Sequence, residues 1–166
     1  MFLQNAISKR INDNNPVKVA LIGAGKFGSM FLSQVPSTLG IEVLVIADLK
    51  PDNAVKACKN VGWSDDLINK TKFVDRGTDA IKLNEVEVVI EATGFPAAGI
   101  EHARQAFQNG KHIIMVNVEA DVLAGAALVK EANSAGVVYS MAYGDQPALT
   151  AEIVEWARAS GFNVTS

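Results

Sequence analysis

The stretch Val17–Phe31, VKVALIGAGKFGSMF, constrains this chain more than any other. An apolar run, Val17–Ile22, meets a segment with Phe27, Met30, Phe31 and Val35 at helical spacing, and Gly23, Gly25 and Gly28 stand at the joint. The pattern therefore changes from buried strand to amphipathic helix across the spacing G-x-G-x-x-G. In such a joint the first glycine permits the sharp turn out of the strand. The second lets a pyrophosphate approach the backbone, and the third lets helix and strand pack closely. The amides that open the helix have no intrahelical partners and carry the positive end of its dipole, so they favour an anion. The expected contacts to a dinucleotide here are Gly23, Gly25, Lys26, Phe27 and Gly28.

A dinucleotide site of this kind needs an acidic residue roughly twenty positions further on. Ile41–Ala47, IEVLVIA, reads as the second strand, and Asp48 closes it. A carboxylate there accepts both ribose hydroxyls of an adenosine and repels a 2′-phosphate, which favours NAD over NADP. Lys50, two residues on, offsets that repulsion and leaves NADP open. The competing reading makes Asp48 a turn residue capping a local N–H.

Past Asp48, strand-like and helical runs keep alternating. Pro51 suits the first turn of a helix to about Val61, Lys72–Val74 reads as a short third strand, and Asp79–Leu83 as one or two helical turns. Val86–Ala92 is the fourth strand, followed by a helix from about Ala97 to Asn109, the strand HIIMV, and a helix near Asp121–Ala135. The strand VVYSM and a helix near Pro147–Ser160, aligning Leu149, Ile153 and Trp156, complete the series. Trp63–Lys70 is polar and receives no assignment. Gly40, Gly110, Gly136 and Gly161 each follow a helical run and precede a strand-like one, where a left-handed residue ends a helix. Strands joined through helices run parallel with right-handed crossovers. The expected fold is α/β: a doubly wound parallel sheet, the Rossmann dinucleotide-binding domain. It is expected to span residues 1–166 as one NAD(P)-binding domain, with 1–15 a helical extension carrying Leu3, Ile7 and Ile11 on one face.

Ligands of an open parallel sheet bind outside the carboxyl ends of its strands. The residues expected there are Gly23–Gly28, Asp48, Thr93–Pro96, Asn117–Asp121 and Tyr143–Pro147. Thr93 offers a hydroxyl and Gly94 a bare backbone to the nicotinamide ribose, with Phe95-Pro96 as an apolar wall. Glu91 either faces the ligand edge or accepts backbone hydrogen bonds. Asn117 either orients the nicotinamide or caps the next helix. His102 is expected at the surface and His112 at the sheet's amino edge, and neither has metal-ligand spacing, so no metal site is expected.

Composition narrows the classes of function. A net charge of −3 leaves no basic footprint for nucleic acid. No apolar run reaches the ~20 residues of a membrane span, and MFLQNAISKRINDNN lacks the pattern of a secretory signal. Cys58 is the only cysteine, which excludes a disulfide framework and points to a reducing, cytoplasmic setting. It sits in AVKACKNVG with no neighbouring histidine and reads as a core residue rather than a nucleophile.

Four stretches in order, VALIGAGKFG, VVIEATG, GKHIIMVNVEAD and GVVYSMAYGDQPAL, resemble the cofactor domain of homoserine dehydrogenase-like oxidoreductases over nearly the whole chain. The nearest likeness is to the branch with a C-terminal SAF domain, which includes an enzyme similar in activity to 1-deoxy-D-xylulose 5-phosphate reductoisomerase. The resemblance implies an NAD(P)(H)-dependent oxidoreductase moving a hydride to or from a small carbonyl or hydroxy substrate. Homoserine dehydrogenases carry an Asn-Lys pair after the fifth strand. Here Asn117 is followed by Val118 and Glu119, which puts homoserine oxidation in doubt. Glu119, Tyr143, Asp145 and Gln146 are candidates for the substrate side, and no catalytic residue is assigned. The reductoisomerase-like alternative implies a divalent metal, for which Glu119 and Asp145 are outlying candidates. Family members continue into a substrate domain, so this chain is expected to be an isolated cofactor domain without the full catalytic site. A second class of function is a non-catalytic module responsive to NAD(H), which the fold permits. A homo-oligomer is left open.

Overall fold

The computed structural model describes residues 2–144 and 146–165. Its core is a six-stranded, all-parallel sheet in the order β3-β2-β1-β4-β5-β6. The strands are β1 (Val17–Ile22), β2 (Ile41–Ala47), β3 (Lys72–Val74), β4 (Val88–Glu91), β5 (His112–Met115) and β6 (Tyr139–Met141). The helices are α1 (Phe2–Asn12), α2 (Lys26–Gln34), α3 (Pro51–Asn60), α4 (Asp65–Lys70), α5 (Gly77–Ile81), α6 (Pro96–Gln108), α7 (Val118–Ala135) and α8 (Gln146–Ala159). The expected doubly wound sheet is therefore the observed one. Its order reverses between β1 and β4, and a crevice opens outside their carboxyl ends at that point.

Two apolar layers hold the helices on the sheet. On one face Leu32 of α2, Ala54 and Cys58 of α3, Trp63 and Ile68 pack against Val19, Leu21, Val43 and Ile46. On the other, Ala80 and Ile81 of α5, Ala103, Ala106 and Phe107 of α6, and Leu128 and Ala132 of α7 pack against Ala20, Val45, Val89 and Ile113. Strands covered on both faces read as near-continuous apolar runs, interrupted here only by Lys18 and Glu42, which is why β1 and β2 were legible in the sequence. Gly40, Gly110, Gly136 and Gly161 each have a positive φ, although among the described residues no strand follows Gly161; Gly136 shows why, since at φ 69° it ends α7 while its N–H bonds back to the last turn.

The unassigned polar stretch proves to be ordered. Ser64 caps α4 by accepting from the Leu67 N–H, and the buried Trp63 donates its Nε1–H to the Leu32 carbonyl at 2.7 Å. At the chain's start, Ile7 and Ile11 of α1 lie against Gly40, and Arg10 bonds to Glu87 and the Pro16 carbonyl. The Leu3 side chain lies outside the description. The apolar stripe of α8 finds no core, for Ile153 and Trp156 are 64% and 76% exposed. His102, expected at the surface, is buried instead, because it faces Glu91 rather than solvent. His112 does start a strand at the amino edge, where its Nδ1 accepts from the Val138 N–H.

Candidate functional site

The three glycines divide their work as physical reasoning requires. Gly23 has a φ of 97° and lies so close to β4 that a Cβ would come within 2.7 Å of the Ala92 carbonyl oxygen. A Cβ on Gly28 would fall 2.2 Å from the Gly23 carbonyl oxygen, so only glycine lets α2 approach β1 at this depth. Gly25 differs from both. It is exposed, opens α2 without a side-chain cap, and has nothing within 4 Å of where a Cβ would stand. That empty cradle sits before the amides of Lys26, Phe27 and Gly28, the first N–H groups of the helix. A shaped space faced by amide donors and a helix dipole fits a pyrophosphate.

The cradle leads into a cavity of about 610 Å³ built from the carboxyl ends of four strands. Ile22 and Gly23 come from β1, Asp48 and Leu49 from the end of β2, and Ala92, Thr93 and Phe95 from the end of β4. The opposite wall is the β3–α5 loop, Asp75 to Thr78, with Ala98, Glu101 and His102 of α6 below it. Strand-end reasoning applied to β3 would have found this wall. A strand of three residues gave too weak a signal to carry its loop along.

Asp48 performs the turn role and remains available for a ligand. Its Oδ1 accepts from the Lys50 N–H at 3.0 Å and its Oδ2 from the Ala24 N–H at 3.1 Å. The second bond ties β2's end to the glycine turn. A carboxylate has about four acceptor sites, so two remain for vicinal hydroxyls.

Thr93 and Asn117 are deployed inward. The Thr93 hydroxyl donates to Glu91 Oε1 at 2.6 Å and accepts from the Phe95 N–H at 3.3 Å and from Asn117 Nδ2 at 3.4 Å. Asn117 is 2% exposed; its Nδ2 also donates to the Phe95 carbonyl at 3.0 Å and its Oδ1 accepts from the Ala120 N–H. It caps α7, which starts three residues before the sequence suggested, and it fastens the β4–α6 loop. Gly94 lies in that loop with a φ of 68° and open space around it. Phe95, 63% exposed, and Leu49, 91% exposed, offer apolar surface on either side of the cavity.

The substrate-side candidates are scattered. Glu119 is exposed in the first turn of α7, and Tyr143 is exposed with its hydroxyl donated to Glu152 Oε2 at 2.8 Å. Asp145 lies outside the described residues, as does the side chain of Gln146, whose backbone opens α8. Among the described residues no three His, Cys, Asp or Glu side chains converge on a common point.

Residues 23–142 match the family described as the homoserine dehydrogenase NAD-binding domain. The chain belongs to that family. No curated protein matches it in sequence. Among solved structures it is similar to a homoserine dehydrogenase from Thiobacillus denitrificans, with TM-score 0.64 and 22% identity over 76% of this chain and 29% of that one. It is also similar to a myo-inositol dehydrogenase from Lactobacillus casei solved with NAD(H) and myo-inositol, with TM-score 0.65 and 19% identity over 84% of this chain and 42% of that one. A 3-ketoreductase from Actinomadura kijaniata solved with TDP-benzene and NADP gives TM-score 0.64 and 17% identity over 86% of this chain and 43% of that one. At these identities the structures share the fold. The chain spans well under half the length of each.

Proposed function

We propose that this chain is the nicotinamide-dinucleotide-binding domain of an oxidoreductase that moves a hydride to or from a small carbonyl or hydroxy substrate. The observation that carries the reading is the empty cradle at Gly25, continuous with a cavity edged by Asp48. The amides opening α2 hold the pyrophosphate, Asp48 accepts the adenosine ribose hydroxyls, and Leu49, Phe95 and Ala98 flank the base. When bound, the cofactor supplies the hydride chemistry. The chain's own contribution is to bind, to orient and to shield one side of the ligand. Glu119, Tyr143, Asp145 and Gln146 remain the candidates for the substrate side by their place after β5 and β6, and a companion domain supplies the groups that handle the substrate's proton.

NAD is the favoured form. The carboxylates of Asp48, Asp75 and Glu101 line the cavity against the single guanidinium of Arg76, so a 2′-phosphate would enter a negative field. Lys50 leaves NADP as the weaker ligand. The finer placement, in the branch with a C-terminal SAF domain, rests on the sequence resemblance alone.

The test is calorimetric titration of the chain with NADH and NADPH. Binding of NADH tighter than NADPH is expected, and Asp48→Ala should weaken NADH by about 1–3 kcal/mol, the scale of hydrogen bonds to a charged group. Neither heat nor a thermal shift with either cofactor refutes the reading.

A further inference from the structure

Glu91 ends β4 and is fully buried on the face it shares with Val89. Its Oε1 receives the Thr93 hydroxyl at 2.6 Å and the Thr93 N–H at 3.3 Å, and stands 3.3 Å from Nδ1 of His102. Its Oε2, equally buried, has no partner among the described residues. A buried acid with half its acceptor capacity unused costs stability, and an apolar side chain would fill the same space without that penalty. The residue therefore calls for a reason beyond packing.

The groups that Glu91 holds lead to opposite walls of the cavity. Thr93 commits its only hydroxyl proton to Glu91, and its lone pairs then gather the Phe95 N–H and Asn117 Nδ2, which shapes the β4–α6 loop. His102 lines the cavity and turns its far edge to the β3–α5 loop, where a Cβ on Gly77 would fall 2.4 Å from Nε2. The imidazole thus occupies the place of a side chain at residue 77. With Glu91 accepting at Nδ1, the neutral ring is held as the Nδ1–H tautomer.

We propose that Glu91 and His102 are positioning residues for the dinucleotide: one buried carboxylate orients the Thr93 hydroxyl and the His102 ring together, and so sets the separation of the two walls. The proposal rests on the cofactor reading above. A simple loop staple would affect only the β4–α6 side.

The experiment uses the full chain, first without cofactor. In the wild type, ¹⁵N shifts should report the Nδ1–H tautomer for His102, distinguishable because the chain has only 2 histidines. Glu91→Gln keeps the size and an acceptor for Thr93 but removes the charge. It is expected to release the Nδ1–H tautomer, to speed amide exchange in both 75–78 and 93–95, and to weaken NADH about tenfold, the effect of one contact to a charged group. Exchange that rises in one wall only, an unchanged tautomer, or unaltered NADH affinity with both walls loosened overturns the proposal. If Glu91→Gln does not fold, His102→Gln decides the matter. That variant leaves the Glu91–Thr93 bond, and should loosen 75–78, spare 93–95 and still weaken NADH; wild-type affinity overturns the proposal. A wild-type chain that binds no NADH refutes the cofactor reading, whereas coupling of the walls is read in cofactor-free protein and is decided separately.

Discussion

Gly25 and Gly28 lie three residues apart in one motif, yet alanine at each should fail in opposite ways. At Gly28 the added methyl meets backbone, the Gly23 carbonyl oxygen at 2.2 Å, and the carbonyl cannot yield without unseating the turn. Overpacking of this kind costs about 1–3 kcal/mol. In a chain of this size each kcal/mol lowers the melting temperature by roughly 2–4 °C, so Gly28→Ala should melt about 2–12 °C below the wild type. At Gly25 the methyl enters open space and φ is −69°, which alanine adopts freely, so only the N-cap preference for glycine over alanine, about 1 kcal/mol, is lost and the melting temperature should fall by no more than about 2–4 °C. The same methyl occupies the cradle before the helix amides. Loss of one or two hydrogen bonds to an anion, about 1.5–3 kcal/mol each, predicts NADH binding weakened by more than about tenfold. Differential scanning calorimetry and NADH titration of both variants decide the issue. A Gly25→Ala chain that binds NADH like the wild type would refute the pyrophosphate assignment. A Gly28→Ala chain that melts like the wild type would refute the packing account.

Three further outcomes are expected. Trp63→Phe keeps an aromatic ring but removes the indole N–H, leaving the Leu32 carbonyl unpaired and a small void beside it, which should lower stability by at least about 1–3 kcal/mol in urea unfolding; a loss near zero contradicts the bond's role. Burial raises the Glu87 carboxyl, but the Arg10 guanidinium and the Lys18 N–H outweigh this and hold it below its ordinary value. Being depressed in the folded state, it stabilises the attachment of α1 above the unfolded carboxylate pKa of about 4.3, and that contribution disappears as pH falls through the folded value. The half-exposed pair is worth up to about 1 kcal/mol, and Arg10→Gln should reduce this acid sensitivity of stability; an unchanged pH profile counts against it. Burial pushes the Cys58 thiol up to about 11. Disulfide reagents should therefore label it only as the fold opens, and labelling at the rate of an unfolded control would contradict its core position.

How far the sequence could be read depended on whether a residue's signal was local. Gly23, Gly25 and Gly28 carry theirs within six positions, and the covered strands β1 and β2 announce themselves as apolar runs. The doubly wound parallel sheet followed from helix-linked strands, since few topologies satisfy right-handed crossovers; its strand order came only with the structure. His102 and the loop Asp75 to Thr78 escaped because their meaning is not local. An imidazole in EHARQ reads as surface until Glu91, eleven residues earlier, is placed beneath it, and Gly77 reads as an ordinary glycine until that ring fills the space of its missing side chain. The stripe of α8 marks a different limit, for helical spacing of Leu149, Ile153 and Trp156 shows that a face exists without showing what covers it.

The inward use of Thr93 and Asn117 has a general cause. A loop that leaves β4 and turns into α6 has no ladder to satisfy its N–H and carbonyl groups, and buried ones must find partners nearby. Thr93 and Asn117 supply those partners to Phe95, as Asp48 does to Ala24 and Lys50. Polar residues at the carboxyl edge thus serve the loop first, and only capacity left over can serve a ligand. By that measure Asp48 retains acceptor sites, the Thr93 hydroxyl has no proton left to give, and Gly25 and Gly94 offer open backbone. On the proposed reading, recognition at the glycine turn therefore falls to main-chain amides and the Asp48 carboxylate. Thr93→Val should accordingly disturb the β4–α6 loop in amide exchange before it touches any direct contact, whereas Asp48→Ala removes a contact and a loop tie together.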